Sequence, residues 1–307
     1  MKIFHSDILS FPLHPNQDFL VAKYELLIRR ILSAGFARPR ELLTPPEATL
    51  EEITRVHDPD YVERLLKGQL SPRELREVGL PWSPGIIERA RRSTGATIEA
   101  CRWALREGVA LHLGGGTHHA FRNRAKGFCW LNDCAIAARA MIAEQRVRRV
   151  LILDCDVHQG DGTAAIFRGD PDVFTFSIHG SSSYPYHRKP GDLDIDLPSD
   201  TGDQAYLQAL EAGLKTALER FTPELVIYLA GADIYEGDRY GSLSLSLDGI
   251  GLRDRLVFDC FARSETPLAV TLAGGYSAQI EDAVEIHFQT ARIAFEYHQR
   301  RNVRISE

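Results

Sequence analysis

The strongest constraint on this chain is a repeated unit. A short apolar run ends abruptly in small and polar residues, and an amphipathic stretch follows. The runs are Val109–Leu113, Val150–Leu153, Val173–Phe176, Leu225–Leu229 and Ala269–Leu272. They are rich in β-branched residues and lack clean alternation, as suits parallel strands covered on both faces. Between them the spacing predicts helices. One begins at Ser83-Pro84, an N-cap followed by proline at the first helical position, and stops at Gly108. Others are expected over Asp133–Glu144, Gln204–Glu219 and Ala283–Gln299, with Leu20–Ser33, Leu50–Val56 and Asp60–Lys67 in a mostly helical first third. Strand–helix alternation of this kind predicts an α/β fold, a doubly wound and mainly parallel sheet between two helical layers. The 307 residues suit a single domain spanning 1–307.

In such sheets ligands bind beyond the carboxyl ends of the strands. Here those ends read GGGTHH after Leu113, DCDVHQGDG after Leu153, SIHG after Phe176, AGAD after Leu229 and AGGY after Leu272. Five strands therefore deliver His, Asp, Ser, Tyr and Gly to one edge. Asp154, Asp156 and His158 alternate, so in extended backbone their side chains share a side. Carboxylate and imidazole suit Zn²⁺, which in catalytic sites keeps three protein ligands and one open position. Asp156 and His158 supply two ligands, and Asp233, just past the Leu225–Leu229 run, is the best candidate for the third. Three such groups after a buried strand are costly to desolvate unless a cation compensates.

His118 and His119 are neighbours and seldom aim at one point, so they read as acid/base groups beside a metal. Asp154 and Asp161 are the expected partners of their far ring nitrogens. Tyr276, after Gly274-Gly275, is placed to donate to a developing oxyanion. The combination points to amide hydrolysis.

Composition narrows the class. A formal charge of -6 argues against bulk nucleic-acid binding. No stretch is long and apolar enough for a membrane span. The amino terminus does not read as a signal peptide. Five cysteines with no CxxC pair imply reduced thiols and a cytoplasmic setting.

The strings GGGTHHAFRNRAKGFCWLND, LILDCDVHQGDGTAAIF, FSIHGSSSYPY, LAGADIYEGDRYGSLSLS and LAGGYS resemble, in order, the motifs of the histone deacetylase family within the arginase–deacetylase fold. AGADIYEGDRYGSLSLS followed by GLRDRLVF, and Gln159 after His158, look most like the class IV branch and its bacterial relatives. The resemblance implies a zinc-dependent lysine deacylase. Asp156, His158 and Asp233 match the zinc ligands, and His119 matches the general base of the histidine pair. Tyr276 matches the residue that polarises the carbonyl. Phe128 and Tyr184 match the aromatic walls of the acyl-lysine channel, Gly127 a backbone carbonyl that contacts substrate, and Gly274 and Gly275 are counted with that channel. It also implies a monovalent cation, usually K⁺, near Asp154, Asp156, His158 and Ser177.

The expected substrate is an acyl-lysine protein or peptide, carrying acetyl or a longer acyl group. The alternative is a small acylated amine such as an acetylated polyamine, with Leu70–Pro84 or Ser181–Gly191 as loops that narrow the entrance. Arginase-type ureohydrolases bridge two manganese ions with extra carboxylates. Gly160 and Tyr235 occupy the positions where those would be needed.

Overall fold

The computed structural model describes residues 1–5 and 22–306, with side chains to residue 301. In chain order the strands are β1 (Lys2–Phe4), β2 (Leu42–Leu43), β3 (Val109–His112), β4 (Val150–Asp154), β5 (Val173–Gly180), β6 (Leu193–Leu197), β7 (Leu225–Leu229) and β8 (Leu268–Thr271). The helices are α1 (Ala22–Ser33), α2 (Leu50–Thr54), α3 (Pro59–Leu66), α4 (Pro72–Val78), α5 (Pro84–Glu107), α6 (Asp133–Ala143), α7 (Asp161–Phe167), α8 (Asp203–Arg220), α9 (Leu247–Arg263) and α10 (Ile280–Ser306). Leu20 and Val21 of the first expected helix lie outside the described residues, as does most of the stretch judged not to be a signal peptide. Leu70–Pro84 is not a plain loop. Ser71 and Glu74 form a reciprocal capping box, and α4 begins at Pro72.

All eight strands join one sheet in the order β2-β1-β3-β8-β7-β4-β5-β6, every described pair parallel. Side chains alternate across each strand and so divide into two cores. On β7, Val226 and Tyr228 join the core under α8, α9 and α10, while Leu225, Ile227 and Leu229 join the one under α5 and α6. Both faces are apolar, and that explains why the sequence shows runs rather than alternation.

The topology decides where a crevice opens. From β4 the chain moves to β5 on one side, and from β7 it moves to β8 on the other. β4 and β7 are hydrogen-bonded neighbours, in register from Val150–Leu225 to Asp154–Leu229. Their continuations part at the carboxyl end, which is where open α/β sheets bind ligands.

The helices of the first third are tied to that edge by buried polar contacts. Tyr61 donates its hydroxyl to the Trp130 carbonyl at 2.6 Å. His57 donates from Nδ1 to the Arg122 carbonyl at 3.3 Å and accepts the Asn132 amide at Nε2 at 3.0 Å. Burial pushes the His57 pKa down to about 4. The unfolded chain, with an ordinary histidine, then binds more protons than the native state. The His57 contribution is therefore present above pH 6.5 and is lost as pH falls towards 4. We predict that His57→Leu leaves the Asn132 amide unsatisfied, costs about 1–3 kcal/mol at pH 7 and flattens the acid side of the stability profile. Urea unfolding at pH 7 and pH 5 checks both effects.

Candidate active site and metal centre

β4 ends at Asp154, and the next residues continue across the crevice mouth towards the loop that leaves β7. Asp156, His158 and Asp233 each offer a ligand atom within 4.8 Å of the others. All three line one cavity of about 610 Å³, together with His118, His119, Gly127, Phe128, Tyr184, Gly274 and Tyr276. The sequence placed these residues on four strand ends and two loops, and the fold brings them to one space.

The carboxylates are buried, and backbone amides solvate them. Asp156 accepts the His158 amide at 2.9 Å and the Gly274 amide at 2.8 Å. Asp233 Oδ1 accepts the Val157 amide at 2.9 Å, and Asp154 Oδ1 accepts the Asp156 amide at 3.1 Å. One oxygen, Asp233 Oδ2, is buried without a hydrogen-bond donor. It lies 3.3 Å from His158 Nδ1, which donates to Asp156 Oδ1 at 2.9 Å. Burial, then the Asp156 charge, raises the Asp233 pKa to about 7. Burial opposes a charge on His158, yet Asp156 and Asp233 draw its pKa up to about 10. This is a pocket of excess negative charge with an unused oxygen. The Asp₂His donor set fits a divalent cation such as zinc.

Gly274 fits that cradle because it lacks a side chain. A Cβ there would overlap Asp233 Oδ2 and stand 2.6 Å from Asp156 Oδ2.

The histidine pair follows β3. His118 donates from Nδ1 to Asp154 at 2.6 Å, and His119 donates from Nδ1 to Asp161 at 2.8 Å. Nε2 of each ring remains for proton exchange. The two environments pull in opposite directions. Burial opposes a charge on His118, but Asp154 and Asp156 overcome it and raise its pKa to about 9. Burial, helped by the His118 charge, lowers His119 to about 3 in spite of Asp161.

The turn carrying the pair is built by residues that the sequence did not single out. Asp133, fully buried at the start of α6, accepts the amides of Gly116 (3.1 Å) and Thr117 (2.7 Å) and the hydroxyls of Thr97 (2.5 Å) and Thr117 (2.6 Å). An acid in a helix's first turn ordinarily reads as a partner for the helix dipole, so nothing local marked it. Behind the loops that carry Asp156 and Asp233, Arg253 is fully buried. It donates from Nη1 to the Gly231 carbonyl at 2.6 Å and from Nε to Asp254 at 2.9 Å. The one available signal was an Arg-Asp pair inside the apolar pattern of GLRDRLVF.

The remaining expected residues divide into two groups. Phe128 and Tyr276 lie on the cavity wall with ring centroids 6.0 Å apart, and the Tyr184 ring stands edge-on to His119 at 5.0 Å. The Gly127 carbonyl accepts the Cys129 thiol at 3.2 Å. Gly275, expected in the channel, stands behind the wall. Its carbonyl takes the Lys23 ammonium at 3.0 Å, and a Cβ there would meet Ala232. Asp154 and Ser177 are register partners on β4 and β5, and Ser177 Oγ is 2.8 Å from His179 Nδ1. All five cysteines are free. No helix among the described residues is long and apolar enough to cross a membrane.

The histone deacetylase domain profile matches residues 18–291. An uncharacterized protein of Picosynechococcus is 40% identical over 292 residues, 95% of this chain and 97% of its own. Histone deacetylase 2 of Arabidopsis thaliana is 32% identical over 286 residues, 89% of this chain and 73% of its own. A histone deacetylase homolog from Aquifex aeolicus has the same fold, with a TM-score of 0.81 over 95% of this chain and 83% of that one at 24% identity.

From the Gly274 geometry we predict that Gly274→Ala remains folded but loses bound metal by at least about tenfold, the scale seen when groups that orient metal ligands are disturbed. Elemental analysis of the purified variant, with a thermal melt as control, checks it.

Proposed function

This chain belongs to the histone deacetylase domain family, and we propose that it is a zinc-dependent hydrolase that removes acyl groups from lysine side chains of proteins or peptides. The observation that carries the reading is the single cavity. It holds the Asp156–His158–Asp233 cluster, two histidines that are each oriented by their own carboxylate, and Tyr276.

Asp156, His158 and Asp233 would hold the zinc ion. When bound, zinc lowers the pKa of a coordinated water to about 7 and polarises a carbonyl. The other groups are the chain's own. His119, neutral and fixed by Asp161, takes the proton of the attacking water at Nε2. Tyr276 donates its hydroxyl to the oxygen on which charge develops. His118, charged and fixed by Asp154, delivers a proton to the departing amine. Phe128 and Tyr184 flank the methylene chain, which lies between their rings and away from water.

Leu80, Ile86, Ala90, Leu113 and Leu131 share the cavity lining. That apolar surface and the volume of about 610 Å³ support acyl groups longer than acetyl alongside acetyl. A small acylated amine such as an acetylated polyamine is the competing substrate, and Glu77 on the lining is the acid that would favour its remaining ammonium groups. Arg73 at 3.0 Å and Arg124 at 4.0 Å already offset that carboxylate, so the peptide reading stands first. Within the family we place the chain beside class IV on the strength of AGADIYEGDRYGSLSLS and GLRDRLVF. The match over 18–291 supports a single catalytic domain across 1–307. A monovalent cation near Asp154, Asp156, His158 and Ser177 rests on the family resemblance alone.

A panel of acetyl-, octanoyl- and myristoyl-lysine peptides beside acetylated polyamines tests the reading. Peptide hydrolysis that chelator abolishes and zinc restores is expected. Turnover confined to the polyamines would overturn the peptide assignment. His119→Ala and Tyr276→Phe should each lower kcat by about 10²-fold or more with metal content unchanged.

A further inference from the structure

Lys126 has no role in the chemistry described so far, yet its surroundings single it out. Its ammonium pairs with Asp161 Oδ2, the oxygen not used by His119. Asp161 is itself fully buried. The same ammonium stands 4.8 Å from the centre of the Tyr184 ring and 5.4 Å from that of Phe121. Lys126 is also the first residue of a tight hairpin turn. Its amide donates to the Cys129 carbonyl at 3.0 Å, and the Cys129 amide donates back at 2.9 Å. The two residues between them, Gly127 and Phe128, have φ of +53° and +65°. That left-handed pair forms the tip of a two-residue turn, where a bulky residue such as Phe is uncommon. The tip is held against α4, where the Gly127 amide donates to the Glu77 carbonyl at 3.0 Å and the Phe128 amide to the Val78 carbonyl at 2.7 Å, and Lys126 stands at its base.

We propose that Lys126 is a positioning residue that couples the channel wall to the general base. Through Asp161 it fixes the ring of His119. Through its cation–ring contact it fixes Tyr184, which stands edge-on to that ring. The inference rests on the assignment of His119 as the base. A buried carboxylate with only a neutral imidazole for company would be poorly compensated. The ammonium supplies the missing charge and leaves Asp161 one orientation. Side chains that orient an active-site histidine affect turnover by about 10- to 100-fold without touching substrate.

The test uses the full-length zinc-loaded protein and the variants Lys126→Met, Lys126→Gln and Lys126→Arg. The side chain is 17% exposed and the hairpin bonds are made by backbone, so the variants should fold. Thermal melts and metal content verify that. Two readouts follow. On an acetyl-lysine peptide, kcat should fall about 10- to 100-fold in the Met and Gln variants with KM changed far less, and Arg should restore most of it. In protein labelled with ¹⁵N-histidine, the low-field Nδ1 proton of His119, assigned by its loss in His119→Gln, should broaden or exchange quickly in Met and Gln and persist in Arg. A kcat within twofold of the parent in both Met and Gln, or an unaltered His119 proton in them, overturns the proposal. So does an Arg variant that is no better than Met. If the parent hydrolyses no acyl-lysine, the functional reading fails, and the histidine proton alone decides whether Lys126 holds the Asp161–His119 pair.

Discussion

Three carboxylates, those of Asp154, Asp156 and Asp233, are buried side by side where β4 and β7 end. Removing one such group from water costs several kcal/mol even after the protein relaxes, and three in one place would not persist uncompensated. Much of the local architecture is the compensation. The segment after β4 turns its own amides back onto Asp154 and Asp156, and its Val157 amide reaches across to Asp233. The loop after β8 adds the Gly274 amide. His118 and His158 bring donors on their rings. What these leave over is one buried oxygen and a surplus of negative charge, which a divalent cation would meet.

The sheet makes that arrangement reachable. Because β4 and β7 are adjacent and their continuations diverge, two loops far apart in sequence are held a few ångströms apart without having to contact each other along the chain. Arg253 closes the arrangement from behind. Its guanidinium binds the carbonyl of Gly231, two residues before Asp233, and its partner Asp254 accepts the hydroxyls of Tyr228 on β7 and Thr290 on α10. The floor of the loops that carry Asp156 and Asp233 is thereby linked to the outer helices through a buried ion pair. A buried pair of that kind is weak evidence for net stability, because desolvation offsets its attraction.

The parts legible in the sequence were those where one physical cause dominates. Five strands could be read because burial on both faces demands unbroken apolar runs. The Asp, His and Tyr candidates that now share one cavity could be read because they follow those runs closely, whereas Gly127, Phe128 and Tyr184 came only from the family resemblance. β1 and β2 escaped because they are three and two residues long. β6 escaped because LDIDL, at the sheet edge, alternates with aspartate and leaves most of its residues partly exposed. α9 was hidden by its two glycines, poor helix formers whose cost is met by packing. Asp133, Lys126 and Arg253 were passed over for a different reason. A charged residue usually marks a solvated face, and only tertiary structure reveals that these three act on the site from inside.

Adjacency in sequence also hid the asymmetry of the histidine pair. His118 and His119 are the same residue type, one peptide apart, with rings 4.1 Å between centroids, and each donates to an aspartate. The difference lies one contact further out. Asp154 sits among other carboxylates, so the field at His118 is strongly negative and favours the charged ring. Asp161 also pairs with Lys126, and at His119 burial and the neighbouring charge on His118 outweigh Asp161 and favour the neutral ring. A charged ring beside a neutral one is the division of labour that the proposed amide hydrolysis would use. Here it arises from burial and from the charge on His118 itself, not from any difference in residue type between the two histidines.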